Sequence, residues 1–118
     1  MKTGAELITE ERLRQIQVEG FTLEHDYHYT DRQLAKAAAC YIIAYFHYQV
    51  GKIIFAEFIR FTWPWDWKWF KPKTPHGDPK RDLVRAGALV AAEIDRLQEE
   101  ERQNDLEESW GINEEPGE

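Results

Sequence analysis

The sequence predicts a small all-α domain of three to four helices, with a long Trp/Pro-rich loop and an acidic, disordered C-terminal tail. Three segments have apolar residues at helical spacing, and each is preceded by residues that commonly start a helix. Four of the five prolines fall between residues 62 and 79, which places the long loop there. A chain of 118 residues is large enough for one modest core, so a single domain is expected.

The first helix is predicted near residues 5–19. Thr3 and Glu6 fit a capping box, in which each side chain binds the other residue's backbone N–H. Thr9 is a second possible start, because acidic residues follow it in what would be the first turn. Gly20 is a suitable residue to end the helix.

The next predicted helix covers residues 30–50, with Thr30 as its cap and Gln33 at the third position. Residues 21–29 lack helical periodicity and are interpreted as an ordered loop. Gly51 either ends the second helix or bends it. Residues 51–61 are rich in β-branched and aromatic side chains, so both helix and strand remain open for them.

The last predicted helix covers residues 79–103, with Asp78 as its N-cap and Pro79 at its first position. Small residues on this helix would allow close approach of the Ala-rich face of residues 35–39. The side expected to be buried consists of the apolar residues Leu83, Ala86, Val90, Ile94 and Leu97.

The acidity of the chain belongs to its C-terminal part. Residues 97–118 hold nine acidic residues and one basic residue, so the preceding part is close to neutral. We therefore divide the chain into a helical domain, 1–103, and an acidic flexible tail, 104–118. A nearly neutral body gives no strong signal for nucleic-acid binding.

Composition and patterning also suggest a compartment. The single Cys40 cannot form an internal disulfide, and the polar first 20 residues lack a secretory signal. Charged residues interrupt the longest apolar stretch, 37–61, which makes a membrane span unexpected. The expected location is the cytoplasm, with Cys40 buried and unreactive.

One candidate site is a cluster of histidines and carboxylates. His25, Asp26 and Glu93 could serve in acid–base catalysis, and together with His28 they could bind a metal. Their spacing matches no standard metal signature. The alternative is structural: His25 and Asp26 hydrogen-bond the loop or cap a helix, and Glu93 pairs with Arg96 or Arg85.

The other candidate site is the loop that follows residue 62. Its tryptophans and lysines could stack on nucleobases and contact phosphates, or they could form a protein-binding hot spot. Alternatively, Trp63 and Trp65 fold back over the core and leave Trp67 and Trp69 projecting. The candidate binding residues are Trp63, Trp65, Trp67, Trp69, Lys71 and Lys73.

The chain resembles a group of small proteins from tailed phages and prophages. The resemblance rests on ERLRQIQVEGFTLEHDYHYTDRQLAKAAACY (11–41), WPWDWKWFKPK (63–73) and RDLVRAGALVAAEIDRL (81–97). The opening ERLRQIQVEGF is also similar to MazG-type all-α pyrophosphohydrolases, which implies a nucleotide ligand and Mg²⁺ or another divalent metal. The acidic pairs of that family are not reproduced here, since Asp31 is the only acid of the second predicted helix.

These observations lead to two functional hypotheses. The first is a phage or prophage accessory protein that acts by binding and inhibits a host or defence protein, which makes it a counter-defence factor. The alternative is a nucleotide-binding or nucleotide-hydrolysing, MazG-like domain. The first needs no cofactor, and neither involves a membrane. A glycine-rich phosphate loop and a nucleophile motif are absent from the sequence, so binding is favoured over catalysis.

Overall fold

The computed structural model describes residues 1–50 and 52–110, apart from the side chains of residues 47–50 and 52–55. Every regular element in these ranges is helical, which confirms the predicted all-α class. The five α-helices are α1 (Gly4–Gln17), α2 (Leu23–Asp26), α3 (Gln33–Val50), α4 (Lys52–Thr62) and α5 (Pro79–Ser109). Two 3-10 turns, Trp67–Trp69 and Thr74–His76, lie in the loop between α4 and α5.

Helix α1 begins at the predicted capping box. The Thr3 hydroxyl accepts a hydrogen bond from the Glu6 N–H at 3.1 Å, and the Glu6 carboxylate accepts one from the Thr3 N–H at 2.8 Å. The alternative start at Thr9 is wrong, because Thr9 lies inside the helix and its hydroxyl donates to the Ala5 carbonyl. The helix ends at Gln17, and the chain turns at Gly20 with φ of +76°.

Residues 21–29 are not purely a loop, as they contain the short helix α2. The Thr22 hydroxyl caps it by accepting a hydrogen bond from the His25 N–H at 3.2 Å. One turn of helix is too short to show apolar periodicity, which explains why the sequence pattern missed it.

Helix α3 begins at Gln33 and not at the predicted cap, Thr30. Arg32 has φ of +61°, a left-handed conformation that a continuous α-helix cannot contain. The Gln33 side chain accepts a hydrogen bond from the Asp31 N–H at 2.8 Å, so this residue satisfies the backbone just before the helix.

The sequence left both helix and strand possible for the segment that follows residue 51. This segment is the helix α4. It packs against α3. Its Ile59 is buried in the core, whereas Phe58 and Phe61 on the same helix are exposed. Because α4 leads directly into Trp63, its packing fixes where the Trp/Pro-rich loop starts.

Helix α5 begins as predicted, with Asp78 at the N-cap position and Pro79 first in the helix. The Asp78 side chain makes no capping hydrogen bond, however. The helix continues to Ser109, beyond the predicted end near residue 103, so part of the predicted tail is helical. Residues 111–118, the rest of that tail, lie outside the described residues.

The predicted buried side of α5 is wrong except at Ala86. Leu83, Val90, Ile94 and Leu97 are all exposed. The buried residues of the helix are instead Asp82, Ala86, Ala88, Leu89, Ala92, Glu93 and Arg96. Helix α5 packs against both α1 and α3, and small residues on the contact faces let the helices approach closely. Leu89 is buried together with these small residues, whereas the four large apolar residues named above remain exposed.

The core is formed where α3, α5 and the end of α4 meet, and it includes Leu34, Ala37, Leu89 and Trp63. Cys40 belongs to this core, and burial raises the pKa of its thiol to about 12, so it stays protonated at neutral pH. None of the described helices is long and apolar enough to cross a membrane.

Gly87→Leu is expected to destabilise the protein by about 1–3 kcal/mol, the usual cost of overpacking a tight contact. A Cβ atom at Gly87 would lie 2.7 Å from Ile8 Cδ1 on α1, which is closer than real contacts allow. Thermal unfolding measures the change, and Gly87→Ala should cost less because the Ile8 side chain can move. A melting temperature that does not change for Gly87→Leu would contradict the close packing of α1 on α5.

Candidate functional site

The loop after α4 divides its tryptophans between the core and the surface. Trp63 is 8% exposed and its ring packs against Tyr41 and Phe70, with the Phe70 centroid 4.8 Å away. Trp67 and Trp69 are 50% and 59% exposed. This agrees with the expectation that the first part of the loop folds back and the second part projects.

Trp65 connects the loop to the beginning of the chain. Its half-buried ring lies 5.4 Å from the Tyr29 ring and 6.4 Å from the Phe21 ring, centroid to centroid. Phe21 itself is held to α1, because its N–H donates to the Gln15 carbonyl at 2.8 Å and its carbonyl accepts from Arg12. The loop and the α1–α2 connection therefore form one aromatic surface.

Tyr41 and Arg85 hold the middle of the loop, at Trp69 and Lys71, against the helices. The Tyr41 hydroxyl donates to the Trp69 carbonyl at 3.4 Å and accepts from the Lys71 N–H at 3.3 Å. The Arg85 Nη1 donates to the Lys71 carbonyl at 2.8 Å, and its guanidinium lies 4.9 Å from the centre of the Tyr41 ring. These contacts fix the backbone at Lys71, whose side-chain amine lies 6.0 Å from the centre of the Trp69 ring.

Asp82 anchors the next stretch of loop. Its fully buried carboxylate accepts hydrogen bonds from the Lys73 N–H, the Thr74 N–H and the Thr74 hydroxyl, all at 2.7–3.0 Å. One side chain of α5 thus captures three donors of the loop. No residue was predicted from the sequence to anchor the loop in this way.

A cavity of about 670 Å³ lies between α1, the loop and α5, within the range of about 300–1,000 Å³ typical of small-molecule sites. One part of its wall is aromatic and consists of Phe21, Tyr29, Tyr41, Trp63, Trp65 and Trp69. The charged part consists of Glu11, Arg14, Glu19, Asp66, Lys71 and Arg85. Planar apolar surfaces and charges of both signs therefore meet in one concave site.

Glu11 lies at the floor of the cavity and is only 2% exposed. Burial would raise its pKa, but hydrogen bonds from Arg14 and the charge of Arg81 outweigh that effect and lower the pKa. The Arg81 contact is 2.7 Å and the Arg14 Nε contact is 2.8 Å. Glu11 is therefore ionised at neutral pH and is already neutralised by its partners.

The basic residues of the cavity differ in how fully their charge is balanced. Arg14 pairs with Glu11 and also with Glu19, the latter at 2.9 Å, and both contacts raise its pKa. Lys71 and Arg85 have no carboxylate partner within the described part of the chain. The charge of these two side chains is therefore open to an anion.

Two buried polar atoms in the cavity wall lack hydrogen-bond partners among the described residues. They are Oε1 of Gln15, whose residue is 1% exposed, and Nε1 of Trp65. A buried polar group that is left unpaired costs about 1–3 kcal/mol, so such atoms need an explanation. One is an acceptor and the other is a donor.

The histidine–carboxylate cluster does not line the cavity, although the His25 ring packs against Phe21 and Tyr29 of the cavity wall. Nδ1 of His25 hydrogen-bonds Oδ1 of Asp26 at 2.9 Å, and Arg12 lies 3.6 Å from the other carboxylate oxygen. Burial raises the pKa of Asp26 despite the opposing effects of His25 and Arg12. Glu93 pairs with Arg96 at 2.6 Å, as expected if Glu93 has a structural role and not a catalytic one.

The proposed metal ligands are dispersed. The His28 ring packs beside Tyr27, and Glu93 is engaged by Arg96. Among the described residues, no three His, Cys, Asp or Glu side chains form a group suited to a metal ion. His25 and Asp26 are the only two of the four candidates between which the structure shows a direct contact.

Of the six loop residues predicted to bind a ligand, some line the cavity and others do not. Trp63, Trp65, Trp69 and Lys71 line the cavity, whereas Trp67 and Lys73 do not. The lining residues that were not predicted to belong to a binding site include Glu11, Arg14, Gln15, Glu19 and Arg85. The first four recur at helical spacing along one side of α1 and its end, a signal that could have found them. Arg85 carried no such signal.

The cavity is formed jointly by the three segments on which the phage resemblance rests, 11–41, 63–73 and 81–97. Comparison with family models, with curated proteins and with solved structures finds no match for this chain. The resemblance to phage proteins and to MazG-type enzymes therefore remains a prediction.

Proposed function

We propose that this chain is a nucleotide-binding protein and that the cavity between α1, the loop and α5 is the binding site. The observation that carries the proposal is an aromatic wall next to two cations, Lys71 and Arg85, that pair with no carboxylate of the described residues. Aromatic rings stack on nucleobases, and cationic side chains bind phosphates through charge-assisted hydrogen bonds. A nucleotide has both parts.

The arrangement of the cavity supports a ligand with its base and its phosphates at different ends. Trp65, with Phe21 and Tyr29, forms the aromatic side towards α1. Lys71 and Arg85 line the side towards α5, where the Arg85 guanidinium binds the Lys71 backbone carbonyl. We therefore place the base near Trp65 and the phosphates near Lys71 and Arg85.

The proposal is for binding and assigns no hydrolysis. The His25–Asp26 pair does not line the cavity, and Glu11 is held by Arg14 and Arg81. A carboxylate engaged by two guanidinium groups is a poor general base, because its negative charge is already stabilised.

Lys71→Gln should weaken the binding of ATP about tenfold, since a charge-assisted hydrogen bond contributes about 1.5–3 kcal/mol. Lys68→Gln is the matched control: both amines lie within 6.0 Å of the Trp69 ring centre, but Lys68 does not line the cavity. Isothermal titration calorimetry of the full chain measures both dissociation constants. Binding should also weaken with rising salt, and less steeply for Lys71→Gln.

If Lys71→Gln and Lys68→Gln change the dissociation constant equally, Lys71 does not belong to the binding site. If the protein binds none of ATP, GTP, CTP and UTP detectably, the proposal is wrong. Each titration is run with and without Mg²⁺. Binding only in the presence of Mg²⁺ would show that the cation accompanies the nucleotide, which is the arrangement that the MazG resemblance implies.

A second candidate function is the inhibition of a host or defence protein by a phage accessory protein. The supporting observation is the exposure of Trp67 and Trp69, since projecting tryptophans dominate many protein interfaces. Trp67→Ala separates the two functions because Trp67 is exposed and does not line the cavity. Loss of a stoichiometric partner in a host-lysate pull-down, with ATP binding unchanged, would support protein binding through this surface.

A further inference from the structure

Helix α5 has an apolar stripe on its exposed side. Its four large side chains are 40–51% exposed, namely Leu83, Val90, Ile94 and Leu97. We propose that this stripe is a dimer interface, on which α5 of a second copy of the chain packs in the antiparallel orientation. The inference goes beyond nucleotide binding, because none of these four residues lines the cavity.

The spacing of the stripe is that of a coiled coil. From Leu83 through Gly87, Val90 and Ile94 to Leu97, the residues are alternately four and three apart, as the a and d positions of a heptad are. The stripe is about 21 Å long at 1.5 Å per residue. Ile8 of α1 packs on Gly87 and borders the stripe at the one position without a side chain. Exposed apolar residues in a contiguous row usually mark an interaction site.

The charges at the two ends of the stripe indicate what binds there. Lys80 and Glu101 continue the same spacing beyond Leu83 and Leu97, and both are exposed. Neither forms an ion pair within the described part of the chain. One end of the stripe is therefore positive and the other negative, so the stripe is complementary to its own reverse.

This complementarity selects a second copy in the antiparallel orientation. Val90 lies about midway between Lys80 and Glu101, so a two-fold axis near Val90 brings Lys80 of each copy to Glu101 of the other. The apolar residues then pack between two pairs of opposite charge. A parallel arrangement would instead place like charges opposite each other, which is unfavourable. A two-fold interface of this kind closes on itself and yields a dimer.

Sedimentation equilibrium of the full chain tests the dimer. The average mass should rise from 14.0 kDa towards twice that value as the protein concentration increases. Val90→Glu places two negative charges opposite each other near the axis and should raise the dimer dissociation constant about 100-fold or more. Leu13→Glu is the matched control, because Leu13 is 48% exposed on α1 and lies outside the stripe. It should change the dissociation constant by no more than about twofold.

A charge reversal tests the antiparallel orientation. Lys80→Glu and Glu101→Lys should each raise the dimer dissociation constant on the order of tenfold, since each makes two attractive pairs repulsive. The double variant has both pairs reversed and should dimerise like the unmodified protein. These variants change only exposed residues, so they keep the test decisive if Val90→Glu does not fold.

Three results would overturn the proposal: a chain that stays monomeric at millimolar concentration, a dimer that folded Val90→Glu leaves intact, and a double variant that dimerises no better than the single ones. The titration with ATP is repeated on Val90→Glu to keep the two proposals apart. Its affinity for ATP should match that of the unmodified protein, because Val90 does not line the cavity. Loss of the dimer with ATP binding retained supports the stripe as an independent interface.

Discussion

Asp82→Ala should destabilise the protein by about 2–4 kcal/mol, because it removes a buried charged acceptor and leaves several donors unpaired. The Asp82 carboxylate binds the Lys73 N–H, the Thr74 N–H and the Thr74 hydroxyl. Without it, the loop loses its attachment to α5 at Lys73 and Thr74, and only Arg85 still binds the Lys71 carbonyl from this helix. Urea denaturation measures the loss as a lower midpoint with a similar slope.

Asp78→Ala is the matched control for this effect. Asp78 occupies the N-cap position of the same helix but makes no capping hydrogen bond through its side chain. Its removal should therefore change the stability by only about 0.5 kcal/mol. If the two alanine variants unfold at the same urea concentration, Asp82 does not hold the loop as described.

Trp63→Ala should cost about 3–5 kcal/mol, as is usual when a large ring is removed from a core. Trp63 packs against Tyr41 and Phe70, and its indole N–H donates to the Asp66 carbonyl at 3.1 Å. The substitution therefore removes apolar contacts and also a hydrogen bond that shapes the loop. Thermal unfolding followed by circular dichroism gives the change.

Trp67→Ala provides the comparison, since it makes the same change in the same loop at a residue that is 50% exposed. Its expected effect on stability is within about 0.5 kcal/mol. Similar large losses for both variants would mean that the second half of the loop also belongs to the core. Similar small losses would mean that Trp63 is not buried.

The fold class could be predicted because the start of a helix depends on a few neighbouring residues, which the sequence shows directly. The Thr3–Glu6 capping box and the Asp78–Pro79 start are set within one turn, and both starts occur where predicted. The buried side of α5 was predicted only in part. Its small residues were expected to meet another helix, and Ala88 and Ala92 are buried, but the larger Val90 was expected to be buried and is exposed, because burial depends on where α1 and α3 lie.

The candidate site was predictable only in part for a similar reason. The concentration of aromatic residues identified the loop, and Trp63, Trp65, Trp69 and Lys71 do line the cavity. The opposite wall comes from α1 and α5, which meet the loop only through tertiary packing. Gln15 lies at helical spacing from Glu11, which could have placed it on this wall, but nothing in the sequence reveals its unpaired atom or the unbalanced charge of Arg85.

The most direct test of nucleotide binding in the cavity is an NMR titration of the five tryptophan indole N–H signals with ATP. Trp63 and Trp65 line the cavity, whereas Trp67 and Trp110 are exposed and do not. We expect the Trp65 signal to shift most, with saturation, the Trp63 signal to shift with it, and the Trp67 and Trp110 signals to stay in place. Signals that do not move at millimolar ATP, or that all move equally without saturation, would contradict a nucleotide site in this cavity.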